Sequence, residues 1–181
     1  TLGAAWFEYS DRRQYLSGVT YCPPGISLPP ETFNLWTGLG IEPKAGNCQI
    51  ILSHIAVVLA AGDPALENYI LNWLAHLVQR PHEKPGVALV FRSTEGTGKS
   101  LFTRLASRVV GEHNTVMSSS SEQVVGRFNG HLMNKLLIVG EEAFFAGDPR
   151  QNGPFKSLIT DSLMSYEFKG LNVLMQPSYH R

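Results

Sequence analysis

The sequence lacks several features that mark common classes of protein. It has only two cysteines, Cys22 and Cys48, in 181 residues, so no disulfide framework is expected and a reducing compartment fits better. No CxxC or HxxxH pair accompanies them, so a zinc site is not expected either. Lys+Arg and Asp+Glu number 15 each. The resulting zero net charge excludes a basic protein that coats DNA and an acidic tail protein, but leaves room for a local basic patch.

The sequence also lacks an apolar run long enough to cross a membrane. The longest run, from Cys48 to Ala61, contains His54 and is shorter than the ~20 residues that span a bilayer. No charged segment followed by an apolar one opens the chain. We therefore expect no membrane association. Hydrophobic residues nevertheless make up 43% of the chain, which is enough for a folded core.

The first of three predicted regions, residues 1–44, is irregular and rich in proline, glycine and aromatic residues. Prolines and glycines break up regular structure here, so we expect only short strands, at residues 6–9 and 18–21. Three apolar residues are expected to anchor this segment: Phe33, Trp36 and Leu39.

The second region, residues 45–85, is expected to be helical. Apolar residues fall on all sides of a helix predicted over 48–60, which is typical of a helix that other elements cover. Asp63 and Pro64 are expected to open a second helix, with Asp63 as the N-cap and Pro64 in the first turn.

The third region, residues 86–181, alternates between strand and helix patterns. Strands are predicted at 87–91, 114–117 and 136–139, helices at about 122–128 and 154–161 and after the glycine turn, and a hairpin at 166–168 and 173–175. Such alternation predicts an α/β fold in which helices flank a mainly parallel sheet.

A phosphate-binding loop is the sharpest motif in the sequence. Residues 93–100 have the sequence STEGTGKS and stand between a predicted strand and a predicted helix, the context that a P-loop requires. Glycines let backbone N–H groups turn toward phosphates, Lys99 supplies positive charge, and the Ser100 hydroxyl can bind Mg²⁺. The pattern GxxxxGK[ST] has glycine where this chain has Ser93, which fits if the backbone φ there stays negative. The predicted nucleotide-binding residues are Ser93, Thr94, Glu95, Gly96, Thr97, Gly98, Lys99, Ser100 and Leu101.

Two carboxylates follow the predicted strand 136–139. In P-loop ATPases, one carboxylate at such a strand end holds Mg²⁺ and another polarises the attacking water. The spacing favours Glu141 for the metal and Glu142 for the base. Because Gly140 separates the strand from the acids, the reverse assignment stays open.

These motifs resemble superfamily 3 helicases, AAA+-like P-loop ATPases of small viruses, phages and plasmids. The pairing of GTGKS with LLIVGEEAF carries the resemblance, and segments from Phe33 to the chain end add to it. The closer similarity is to the helicase part of phage and plasmid primase-helicases. The resemblance implies ATP and Mg²⁺ as cofactors, single-stranded DNA as partner, a ring of copies (expected to be a hexamer), and the cytoplasm of a bacterial host.

The resemblance also implies a role for Lys169, at the tip of the predicted hairpin. In such motors a hairpin lysine follows the DNA backbone, and a lysine contacts phosphates without recognising sequence. A solvated turn lysine is the alternative. The family's polar sensor and arginine finger are expected beyond Arg181, so the ATPase core of residues 86–181 is expected to be incomplete.

The sequence thus favours the ATPase core of a DNA helicase that acts in phage or plasmid replication. Lys99, Glu141 and Glu142 would be its catalytic residues. A nucleotide-gated DNA-binding or assembly module without motor activity is the alternative. A small-molecule kinase is disfavoured because no arginine-rich lid is visible.

Overall fold

A computed structural model describes residues 1–141 and 149–181. The chain divides into two compact units, Thr1–Gly38 and Leu39–Arg181. No helix in the described ranges is long and apolar enough to cross a membrane. The predicted carboxylate Glu142 lies outside the described residues.

The first unit contains helix α1 (Leu2–Glu8) and a parallel pair of two-residue strands, β1 (Val19–Thr20) and β2 (Phe33–Asn34). The strand expected at residues 6–9 is therefore wrong. The Thr1 hydroxyl caps α1 by accepting from the backbone N–H of Ala4 at 3.3 Å, and such a cap favours a helix over an unpaired strand. The strand expected at 18–21 is confirmed in shorter form.

Asn34 holds the first unit together through its side chain. Its amide donates to the carbonyl of Cys22 at 2.8 Å, and its Oδ1 accepts from the Cys22 backbone N–H at 3.0 Å. Two of the three predicted anchors contact aromatic rings, Phe33 with Tyr15 and Trp36 with Tyr21. The unit thus depends on a few polar and aromatic contacts between its turns.

The second unit begins with the predicted helical region. Helix α2 (Gln49–His54) continues into a π-helical turn (Ile55–Leu59), and α3 spans Pro64–Gln79. Asp63 Oδ1 accepts from the backbone N–H groups of Ala65 and Leu66, so the predicted cap is confirmed.

A parallel pair of strands follows the phosphate loop. Helix α4 (Lys99–Val110) leads to β3 (Thr115–Ser118), α5 (Ser121–Val125) and β4 (Leu137–Gly140). The pair is in register from Thr115 opposite Leu137 to Ser118 opposite Gly140. Parallel strands bring their carboxyl ends to the same edge, and β4 there leads directly into the predicted acidic residues.

The strand predicted at residues 87–91 is wrong: the structure forms no strand ladder there. Leu89 and Phe91 pack against the core, but Val90 is 81% exposed, and a cleft separates the segment from β4. The open edge of β4 pairs instead with Arg181, whose N–H donates to Leu136 at 2.9 Å and whose carbonyl accepts from Ile138 at 2.8 Å. This alternation is the parallel pattern. An apolar run alone did not specify which neighbour completes a ladder.

The chain ends in a helix and the predicted hairpin. Helix α6 (Pro149–Thr160) precedes the antiparallel strands β5 (Leu163–Tyr166) and β6 (Leu174–Pro177). The hairpin is confirmed, with β5 beginning earlier than predicted. Helix α6 also begins earlier than expected, so Pro154 lies inside it, past the first turn that proline prefers.

Among the described residues, two buried clusters support the second unit. The first, here called the loop core, surrounds the base of the phosphate loop and comprises Ile55, Ala60, Ile70 and Phe102. The second, the hairpin core, comprises Val124, Leu132, Leu158 and Tyr166. The phosphate loop and the hairpin therefore each have their own apolar support.

Candidate nucleotide-binding site

The phosphate loop has the backbone that its glycines predict. Gly96 has a φ of +76° and Gly98 a φ of +87°, a region that residues with a Cβ rarely enter. Among the described residues, positive φ outside glycine occurs at Glu31, Ala61 and Asn134. Ser93 is not one of them, so the condition for serine at this position is met.

Lys99 is folded into the loop that precedes it. Its Nζ donates to the Ser93 hydroxyl at 2.7 Å, the Thr94 carbonyl at 3.0 Å and the Ser93 carbonyl at 3.2 Å. Thr97 Oγ1 lies at 3.5 Å. Within residues 1–141 and 149–181 no carboxylate forms an ion pair with it. The described acceptors of this ammonium are all uncharged oxygens, so its charge is available to an anion.

Ser93 takes part in the loop rather than disturbing it. Its hydroxyl lies 2.5 Å from Thr97 Oγ1, across the turn, and accepts from Lys99. A glycine here would supply neither contact. The departure from the P-loop pattern therefore adds a side-chain link between the two arms of the loop.

A cleft of about 510 Å³ joins the loop to the carboxyl end of β4. Lys99, Ser100 and Glu141 all line it. The Glu141 backbone N–H donates to the carbonyl of Ser118 at 2.8 Å, which extends the β3–β4 pairing by one step and fixes where Glu141 stands. The structure thus brings the adjacent residues Lys99 and Ser100 into one cleft with Glu141, which is distant in sequence.

Glu141 has an unsatisfied carboxylate oxygen. Its Oε1 is buried and has no hydrogen-bond partner among the described residues. A buried carboxylate oxygen without a partner is costly, and oxygen is the ligand that Mg²⁺ prefers. The residues therefore fit a Mg²⁺ ion with ATP, for which Ser100 and Glu141 are the candidate ligands.

His54 makes a contact that the sequence did not reveal. Its Nε2 lies 3.2 Å from the carbonyl oxygen of Gly98, in the loop. One signal could have found it: apart from Cys48, it is the only ionisable residue in the apolar run up to Ala61.

Arg181 is a second contact that the sequence did not reveal. Its guanidinium donates to the carbonyls of Arg80 at 2.6 Å and Pro81 at 3.2 Å, and to that of Glu83. Burial lowers the pKa of Arg181 to about 10. Arg181 lines the cleft. Its terminal N–H groups hold the segment after α3, whereas its buried Nε–H has no partner among the described residues.

Lys169, the predicted DNA contact, is exposed in the turn between β5 and β6. Contacts from residues 127–130 support the residues just before it. Arg127 pairs with Glu167 at 2.8 Å, and Asn129 donates to the carbonyl of Ser165 at 3.0 Å and accepts from the Glu167 N–H at 2.8 Å. The turn is thus exposed to solvent, and the residues just before it are held by contacts with residues 127–130.

Comparison with protein families gives a match over the second half of the chain. The sequence profile described as "Family of unknown function (DUF5906)" matches residues 91–181. The chain belongs to the DUF5906 family. The matched segment includes the phosphate loop, Glu141 and the hairpin, so every predicted site residue lies within the family region.

A curated relative places this family segment in a phage protein. The chain is 33% identical over 90 residues to the DNA primase-polymerase of Nitratiruptor phage NrS-1. The match covers 49% of this chain and 12% of that protein. The predicted kinship with a phage replication protein is confirmed at this level. The assignment to superfamily 3 helicases remains a prediction.

Solved structures of the same phage protein share the fold. Two apo structures of the NrS-1 C-terminal region align with TM-scores of 0.72 and 0.75, at 24% and 22% identity. Each alignment covers 90% of this chain, and 41% and 40% of those chains. The DUF5906 chain therefore spans less than half the length of these structures.

Proposed function

We propose that this chain is the ATP-binding core of a phage or plasmid replication protein that couples ATP hydrolysis to movement on single-stranded DNA. One observation carries the proposal: the Lys99 ammonium, held without a carboxylate partner in the described structure, lines the same cleft as the unsatisfied Glu141 carboxylate. A cation for phosphates and a free oxygen for a metal are the two groups that Mg·ATP requires.

Each residue has a distinct role in this proposal. Lys99 and the N-terminus of α4 neutralise phosphate charge, while Ser100 and Glu141 hold Mg²⁺, which would supply further charge neutralisation when bound. Glu142 orients the attacking water. Lys169 contacts the DNA backbone. In this scheme the expected AAA+-like parallel sheet, the ring of copies and the host cytoplasm remain parts of the proposal.

The relative supports the nucleic-acid side of the proposal. A primase-polymerase acts on DNA, as its name states, and the chain is homologous to a segment of one. The zero net charge of the chain fits a protein that contacts DNA through a few placed lysines rather than a basic face. The exposure of Lys169 in the turn between β5 and β6 supports this part of the proposal.

ATP binding by wild type and the Lys99→Ala variant tests the proposal. We expect calorimetry to show that Lys99→Ala weakens Mg·ATP binding by about 100-fold, because several charge-assisted bonds are lost together. Lys135→Ala is the matched control: Lys135 also donates to a backbone carbonyl, that of His113 at 2.7 Å, away from the loop. Equal ATP affinity in wild type and Lys99→Ala would overturn the assignment.

Adding single-stranded DNA separates the motor from its alternative. A motor core hydrolyses ATP faster when DNA is present. Tight Mg·ATP binding combined with DNA binding, but without DNA-stimulated turnover in the full-length replication protein, would favour the nucleotide-gated module instead.

A further inference from the structure

Among the described residues, one hydrogen bond links the helical region to a peptide group of the phosphate loop. His54 Nε2 lies 3.2 Å from the Gly98 carbonyl oxygen. Because a carbonyl oxygen only accepts, the imidazole donates through Nε2. The same oxygen accepts from the N–H of Leu101 at 3.1 Å as the first turn of α4 begins. His54 therefore holds the peptide group at the junction of loop and helix.

The direction of this bond matters because a peptide group is planar and trans. The carbonyl of Gly98 and the N–H of Lys99 belong to the same peptide and point in opposite directions. A contact that fixes the carbonyl toward His54 also fixes the Lys99 N–H away from it. Backbone N–H groups at this point of a P-loop are the ones that face phosphates.

A π-helical turn holds His54 in position. The Ala60 N–H donates to the Ile55 carbonyl at 2.8 Å, a five-residue step. That wider step brings Ile55 and Ala60 closer to one face than an α-helix would, and both are buried in the loop core with Phe102 of α4. The residue before this turn is His54, so the packing that buries the turn also directs the imidazole to the loop.

Gly98 is adapted to the imidazole as well as to the turn. A Cβ at position 98 would lie 2.5 Å from His54 Cε1, well inside contact distance. The φ of +87° already disfavours any side chain. Two separate constraints, backbone and imidazole, therefore act on the same glycine.

We propose that His54 is a positioning residue for nucleotide binding, which orients the Lys99 N–H toward the phosphates by holding the Gly98 carbonyl. This inference rests on the proposed ATP site and extends it to the helical region. Its consequence is that residues 48–60, which lie outside the family-matched segment, set the affinity of the loop inside it.

Mg·ATP affinity and nucleotide-free unfolding, measured on the whole chain, test this role. We expect His54→Ala to weaken Mg·ATP binding by about five- to tenfold, the value of one hydrogen bond, and His54→Gln to retain most of the affinity because its amide N–H can reach the carbonyl. His131→Ala is the matched control: His131 Nε2 contacts the Gln123 carbonyl at 2.7 Å. It should leave ATP affinity unchanged.

Gly98→Ala, made both in the wild type and in His54→Ala, keeps the test independent of folding defects in His54→Ala. Gly98→Ala should weaken ATP binding less in the His54→Ala background than in wild type, because the clash at Cε1 is gone. Full additivity of the two changes would overturn the proposal. Wild-type ATP affinity in His54→Ala would also overturn the proposal. If Lys99→Ala fails to bind ATP in the same assay, the proposed ATP site is still supported and only the role of His54 is wrong. If wild type binds no Mg·ATP, the proposed function fails and this inference fails with it.

Discussion

The phosphate loop and the Lys169 turn are held by contacts of different range. Inside the loop, Lys99 bonds to groups two to six residues away in sequence. The residues before Lys169 are held by partners 36 to 40 residues away, at Arg127 and Asn129. One site is built mainly from its own segment, the other from two segments brought together by the fold.

This difference separates what each site depends on. A locally bonded loop keeps its shape as long as its own glycines and hydroxyls are present, with His54 as its one described long-range hydrogen bond. The Lys169 turn keeps its place only while the hairpin core is intact, because Phe168 packs against that core. Changes to remote residues should therefore affect the turn more than the loop.

The largest effect is expected at Glu141, which follows β4 and lines the cleft beside the phosphate loop. Glu141→Gln should lower Mg²⁺ affinity in the presence of ATP by about 100-fold, the upper end of what even a supporting residue of a metal site supplies. The unfolding midpoint should not fall, since the replaced oxygen has no partner in the described structure. Titration of Mg²⁺ against ATP-loaded protein measures this.

Glu112→Gln is the matched control for Glu141, because Glu112 is exposed and does not line the cleft. Single-stranded DNA binding should be equal in both variants and wild type. A Glu141→Gln protein with wild-type Mg²⁺ affinity would remove the carboxylate from the metal site.

A smaller effect is expected from acid, through His180 beside the hairpin core. His180 is buried and its Nε2 donates to the Leu132 carbonyl at 2.8 Å; burial lowers its pKa from 6.5 to about 4. Between those values the unfolded chain binds a proton that the folded chain does not. Stability should therefore fall with falling pH, by at most roughly 1.4 kcal/mol per pH unit.

Urea unfolding between pH 7 and 4 measures this slope, and amide exchange shows where protection is lost. His180→Gln keeps a donor for Leu132 but cannot titrate, so its slope should be shallower. Protection should fall first in β5 and β6. An unchanged slope in His180→Gln would show that other groups cause the acid sensitivity.

The smallest effect is expected at the exposed ion pair between Arg127 and Glu167. Stability should change little, because exposed pairs contribute little. Glu167→Arg raises the positive charge near Lys169, so electrostatics alone would tighten DNA binding. If the pair positions the turn, Glu167→Arg should bind single-stranded DNA no more tightly than wild type.

The charge-swapped double variant, Arg127→Glu with Glu167→Arg, has the wild-type net charge and can re-form the pair. Its DNA affinity should lie within about twofold of wild type. Binding by Glu167→Arg that is tighter than wild type, as net charge alone predicts, would show that the pair does not orient the turn. Salt titration of the affinities checks this.

The sequence predicted best what local contacts decide. The glycine turn before α4, the Asp63 cap and the hairpin each depend on residues within a few positions of one another, and each is present in the structure. Phosphate binding by that turn stays a prediction. Glycines with positive φ and a proline in the first turn of α3 carry that information in the sequence itself.

The strand prediction that was wrong and the contact that was missed both depend on partners that the local sequence does not identify. Residues 87–91 have a strand composition, but a strand also needs a neighbour, and Arg181 pairs with the β4 edge instead. His54 meets Gly98 across 44 residues. The roles of Glu141 and Lys169 are still predictions, because geometry places them without demonstrating binding.

The Arg181 contacts have a consequence for how the protein is made. Its guanidinium satisfies carbonyls of Arg80, Pro81 and Glu83 that were synthesised 98 to 101 residues earlier. At about 5–20 residues per second, those carbonyls wait roughly 5–20 s on the ribosome for their partner. During that interval the segment after α3 must rely on water or a chaperone. The hydrogen bonds of the segment after α3 are thus completed only when about a hundred further residues have been translated.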